Sequence, residues 1–176
     1  MADRALLGRR ARRVLAAGGS EWLPDDARLG RAAAGDDEAS RNYLAALAEA
    51  ALIVMTADRV ADEQACADVA ELMAEALGEA LGRPAVEALV REAAARLGEK
   101  GRFARLNALA PMVEDADGRR HVAGFAALLA LCDHDLTPSE LFVLHALGRA
   151  AGFGAERTAE MVHTVGARLN QVGRGA

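Results

Sequence analysis

The sequence predicts an all-α protein: one compact domain of seven or eight helices, arranged as two pseudo-repeated helix–loop–helix halves. Three observations carry this reading. Apolar residues recur three and four apart through most of the 176-residue chain, the period of a helix face. The chain is 52% apolar but only 3% aromatic, and its Ala, Leu and Val suit helix–helix interfaces, whereas sandwiches draw on Thr, Tyr, Ile and Phe. No segment alternates apolar and polar residues for long enough to make a strand.

Residues 1–19 form an Arg-rich helix that Gly18-Gly19 stops. Arg4, Arg9, Arg10, Arg12 and Arg13 stand against Asp3 alone, and Leu6, Leu7, Val14 and Leu15 give a partial apolar stripe. This pattern reads as a peripheral helix with a solvated arginine face, dispensable for folding. The sharper alternative is a basic amphipathic helix that makes a peripheral membrane contact or holds a partner. Residues 20–37 are a punctuated connector with Pro24 and the only tryptophan, Trp22, whose large ring pins the connector to the body.

Residues 38–176 are the periodic body. A helix over about 39–56 turns Leu44, Leu47, Ala51 and Val54 inward, and one over about 62–81 uses Val69, Leu72, Met73 and Leu77. Gly82-Arg83-Pro84 breaks it, and Pro84 fits the first turn of the next helix, which ends near Gly98. Helices over about 103–112, 119–132, 138–151 and 155–169 complete the chain. The expected core holds Leu52, Val69, Leu72, Phe125, Leu128, Leu144, Leu147 and Val165.

Composition also limits function. Lys100 is the only lysine, a usage that points to a GC-rich bacterial coding sequence. The net charge of −5 argues against a nucleic-acid partner, because a general phosphate binder is basic. Cys66 and Cys132 lie far apart with no CxxC, and read as reduced thiols of a cytoplasmic protein. The longest apolar run, 122–132, is shorter than the roughly 20 residues of a membrane span, and no secretory signal opens the chain. Neither a G-x-S-x-G elbow, a P-loop nor a G-x-G-x-x-G turn occurs, so the chain reads as a non-enzyme, with water activation by an acidic cluster as the weak alternative.

A helix, an acidic break and a second helix occur twice. "ALAEAALIVMTADRVADEQACADVAELMAEALG" lies over "HVAGFAALLALCDHDLTPSELFVLHALGRAAGF" without a gap. At these residues the chain resembles the tellurite-resistance TerB-like proteins, compact all-helical bacterial proteins whose two halves each carry an Ala-Asp-Gly-x-(Ile/Val)-(Ser/Thr)-x-x-Glu motif. The second copy matches at Asp133, Leu136, Thr137 and Glu140, with His134 in place of the glycine. The first copy, around Asp58 and Val60, lacks the glycine, the hydroxyl and the final glutamate. The likeness spans about residues 42–165. It implies a role in metal-stress response and a bound divalent cation, calcium or magnesium.

The loop itself admits two readings. Thr137-Pro138-Ser139-Glu140 has the form of a capping box with proline at the first helical position, and that alone occupies Glu140. The cap leaves Asp133 and Asp135 unexplained, since a helix C-terminus is negative and repels carboxylates. A hard cation would be met by Asp133, Asp135 and Glu140, with Asp58, Asp62 and Glu63 or waters completing the shell. Arg119, Arg120 or Arg149 would neutralise the aspartates instead, leaving a metal-free loop on a protein–protein interaction scaffold. If the loop holds a cation, Asp133→Asn and Asp135→Asn should be neutral or mildly stabilising when metal is absent, because they relieve repulsion near a negative helix end. His121, His134, His145 and His163 form no HxxxH or HExxH pair for zinc, and His134 with Cys132 and Asp135 is a soft-metal alternative.

Overall fold

Aspartates begin five of the helices: Asp3, Asp25, Asp37, Asp62 and Asp115 each accept a backbone N–H three residues on, satisfying a donor that the first turn leaves open. The computed structural model describes residues 3–133 and 135–173. Among these are nine α-helices and a 3₁₀ turn, and no strand. The helices are α1 (Arg4–Ala17), α2 (Asp26–Ala34), α3 (Glu38–Met55), α4 (Glu63–Leu77), α5 (Arg83–Lys100), α6 (Arg102–Met112), α7 (Ala116–Asp133), α8 (Pro138–Ala150) and α9 (Ala155–Gly173). This exceeds the expected seven or eight. The addition is α2, a short helix within the connector that buries Leu29 and Ala32.

Two helices are buried on nearly every side. Residues 46–55 of α3 and 122–130 of α7 are buried without interruption, and α3 and α7 pack against each other. An all-round apolar helix can only be central. Alanine and glycine make up much of both, which lets the backbones approach closely. α5 and α6 cover α3, α9 covers α7, and α8 packs on α6 and α9. Every expected core residue is buried, from Leu52 at 0% exposure to Leu147 at 2%.

The N-terminal helix departs from expectation. α1 lies mainly against α4 and also touches α7 and α9, with Ala11, Val14 and Leu15 at most 1% exposed. It is packed into the core rather than lying at the periphery. Gly18 takes φ 60°, which ends the helix and sends its own N–H back to the Leu15 carbonyl. Trp22 does pin the connector. It is 1% exposed, sits edge-on to Phe153 with centroids 5.4 Å apart, and carries the Arg157 guanidinium over its ring. Gly124 of α7 makes this possible, because a Cβ there would run into the Trp22 carbonyl.

Candidate functional site

The loop between α7 and α8 is built first as a helix start. Thr137 Oγ1 accepts the Glu140 N–H at 3.2 Å, and the Glu140 carboxylate accepts the Thr137 N–H at 2.8 Å and its hydroxyl at 3.0 Å. This is the capping box that the sequence implies, with Pro138 at the first helical position. Glu140 is only 2% exposed, so its carboxylate is directed into this box.

Asp133 answers the question of repulsion. Its Oδ1 accepts Arg4 Nη1 at 2.5 Å, while Arg4 Nη2 binds Asp68 Oδ2 on α4 at 3.1 Å. The neutralising arginine thus comes from α1, 129 residues away, and not from Arg119, Arg120 or Arg149. Arg119 donates to the Val113 and Glu114 carbonyls, Arg120 pairs with Asp117 and Glu21, and Arg149 is exposed on α8. One guanidinium offsets the negative end of α7 and ties α1 to α4 and α7 together.

The first acidic loop is treated in the same way. Arg102, at the start of α6, donates to the carbonyls of Thr56, Ala57 and Arg59, with the Ala57 bond at 2.8 Å. These oxygens belong to Thr56, the C-cap of α3, and to the chain beyond it, where acceptors lack helical partners. Asp58 and Glu63 are exposed, and Asp62 is the N-cap of α4, accepting the Ala65 N–H at 2.8 Å. Asp135 is exposed. Among the described residues, no three His, Cys, Asp or Glu side chains converge where they could hold a metal ion. The structure therefore gives Asp62, Asp133 and Glu140 separate local partners rather than one shared point.

Other groups sort plainly. Burial pushes the Cys132 thiol up to about 12 and also raises Cys66, which donates to the Ala61 carbonyl at 3.8 Å; neither environment favours a reactive thiolate. His134 lies outside the described residues. His121 sits 3.4 Å from the Tyr43 hydroxyl, and burial, then the charge of Arg28, lowers its pKa to about 4. Arg28 stacks over the Tyr43 ring and forks onto Asp115 at 2.7 and 3.1 Å. His145 is half-buried and His163 exposed.

Two arrangements had no sequence signal. Glu49, at the centre of α3 and 0% exposed, accepts Arg96 Nε at 3.1 Å and two N–H groups of Arg105. Glu49 occupies an ordinary inward helical position, and only the fold shows which arginines meet it. Phe103 of α6 and Phe142 of α8 meet edge to face, centroids 6.4 Å apart at 85°, yet remain 63% and 56% exposed. They line a groove of about 350 Å³ with Ala57, Arg102, Pro138 and Val143. Val60, in the loop that Arg102 holds, is 79% exposed, and Leu141 is 39% exposed.

No family model, curated protein or solved structure matches the chain.

Proposed function

We propose that the chain is a non-enzymatic, TerB-like binding module of the bacterial cytoplasm, and that it holds an amphipathic helix of a partner protein on the α6–α8 aromatic shelf. The observation that carries this reading is the exposed Phe103–Phe142 pair. The chain has only four phenylalanines, and two of them meet edge to face at the surface instead of filling the core. Leaving one such ring more than half exposed forgoes part of the about 1.5–3 kcal/mol that full burial gives, so a matched pair marks a surface that a partner covers. Interfaces are enriched in aromatic anchors of this kind, and a groove between two rings suits the apolar ridge of a helix.

The TerB-like assignment draws support from the two helix–acidic loop–helix units, α3 to α4 and α7 to α8, whose first helices pack on each other. The cytoplasmic assignment draws on the two free thiols. Among the described residues, no helix is long and apolar enough to cross a membrane. A bound divalent cation, the other form of this proposal, has weaker support because Asp62, Asp133 and Glu140 each hold a nearer partner.

The test compares parent protein with Phe103→Ser/Phe142→Ser as bait in bacterial lysate, then re-measures binding with each captured protein purified. The variant should melt like the parent, since both rings are exposed. It should lose a partner that the parent binds directly. A partner held equally by both proteins would refute the shelf. Calorimetry of EDTA-treated protein with calcium and magnesium separates the alternative: saturable heat that Asp133→Asn/Asp135→Asn removes would assign cation binding instead.

A further inference from the structure

α1 carries five arginines, and they fall into two groups. Arg4 reaches Asp68 and Asp133, and Arg12 reaches Asp26. Arg9, Arg10 and Arg13 reach no carboxylate among the described residues. Arg9 and Arg13 are exposed; Arg10 gives one N–H to the Leu169 carbonyl at 3.2 Å, while its Nε is buried without an acceptor. In a chain of net charge −5, three such guanidiniums on adjacent turns are a local feature and not a general basicity.

These three line a groove of about 600 Å³ between α1 and the last turns of α9, together with Leu6, Leu7 and Val172. Positions 6, 9, 10 and 13 recur at helical spacing and share one face. Leu6 is 57% exposed, and Leu7 and Val172 are half-buried, so the groove pairs an apolar wall with a row of cations. Its volume lies in the range of sites for small organic ligands.

We propose that this groove binds a single-chain anionic amphiphile, its phosphate or carboxylate head held by Arg9, Arg10 and Arg13 and its alkyl chain lying along Leu6, Leu7 and Val172. Guanidinium forks match such oxyanions in geometry and charge, and Arg9 and Arg13 present theirs at the exposed rim of the groove. An inorganic anion would leave the apolar wall unused. A bilayer surface fits less well, because an interfacial helix presents a broad apolar face. Here Ala11, Val14 and Leu15 are spent on the core, which leaves Leu6 as the one large exposed apolar side chain of α1.

Calorimetric titration of the full chain with dodecyl phosphate and with dodecanoate, both below their micellar concentrations, tests the assignment. One or both should bind saturably at one site, more weakly as salt rises, and the tighter of the two identifies the head. Inorganic phosphate and dodecyltrimethylammonium should give no comparable heat. Arg9→Gln/Arg13→Gln should weaken binding about tenfold or more, and Leu6→Ser should weaken it in the same assay, with melting curves unchanged because these side chains are exposed. Absence of saturable heat would overturn the proposal, as would equal affinity in the arginine variant or equal binding of the cationic amphiphile. Co-flotation with phosphatidylglycerol vesicles without binding of either free amphiphile would replace it with a membrane contact.

Discussion

Glu49→Leu isolates the energetics of the buried charge at the centre of α3. The parent carboxylate is 0% exposed and accepts N–H groups from Arg96 and Arg105, whose side chains are 30% and 14% exposed. Removing one partner of a buried ion pair costs about 3–5 kcal/mol, because the other charge is left without its counterion. Both guanidiniums retain a route to water, so the lower end applies: about 3 kcal/mol. Arg96 Nη2 is already buried without an acceptor, which argues against a smaller figure. For a domain of this length that corresponds to a fall in Tm of about 6–12 °C. Urea unfolding followed by far-UV CD should show a lower midpoint with an unchanged slope. Glu49→Leu/Arg96→Met/Arg105→Met should recover part of the loss, since an apolar replacement of the whole cluster removes the desolvation problem. A Glu49→Leu protein within about 0.5 kcal/mol of the parent would refute the reasoning, because surface substitutions behave that way and buried ion pairs do not.

Three further outcomes follow from the packing. Deleting residues 1–19 should abolish the cooperative melt, because Val14 and Leu15 alone account for about 3–6 kcal/mol of burial; differential scanning calorimetry showing a sharp transition would reverse this. Thr137→Ala should cost about 0.5–2 kcal/mol in chemical denaturation through loss of the α8 cap. Stability should decline as pH falls from 6.5 toward 4, because the unfolded chain protonates His121 in that window while the native site, with its pKa lowered to about 4, resists. Partial exposure of the ring limits that contribution to about 1–2 kcal/mol, and His121→Gln should flatten the pH profile of Tm across this range.

Much of the helical layout was legible because periodicity and punctuation agree. The expected 138–151 helix and its cap match α8, since Thr-Pro-Ser-Glu is a local signal that needs no distant partner. The misreadings came from the opposite situation. α2 is nine residues with Gly30 inside it, and its length kept it below any periodic window. In α1, the arginines are conspicuous in sequence while the energetics lie with Ala11, Val14 and Leu15, whose burial depends on α4, α7 and α9 being in place. The Glu49–Arg105 and Arg4–Asp133 pairs span 56 and 129 residues, and no spacing rule links positions so far apart. The Phe103–Phe142 shelf was hidden for a related reason: in an amphipathic helix a phenylalanine reads as core until the fold shows the face it occupies.

The two acidic loops can now be compared as electrostatic problems. Each follows a helix whose negative end is met by a guanidinium from another helix: Arg102 on the Thr56 and Ala57 carbonyls just past α3, and Arg4 on Asp133 at the end of α7. A cation at the end of α7 would be worth having for the same reason that Arg4 is. This reverses the sign of one expectation. With Arg4 and Asp133 only 22% and 16% exposed, their pair lies between the surface case, at 0–1 kcal/mol, and the buried case, so Asp133→Asn should cost about 1–3 kcal/mol without any metal rather than relieve repulsion. A double-mutant cycle with Arg4→Gln separates the two accounts. A positive coupling energy of about 1–2 kcal/mol in EDTA would assign the charge balance to Arg4. If Asp133→Asn instead raises Tm in EDTA, with no coupling to Arg4, the aspartate is held against repulsion and the case for a cation on this loop becomes the stronger one.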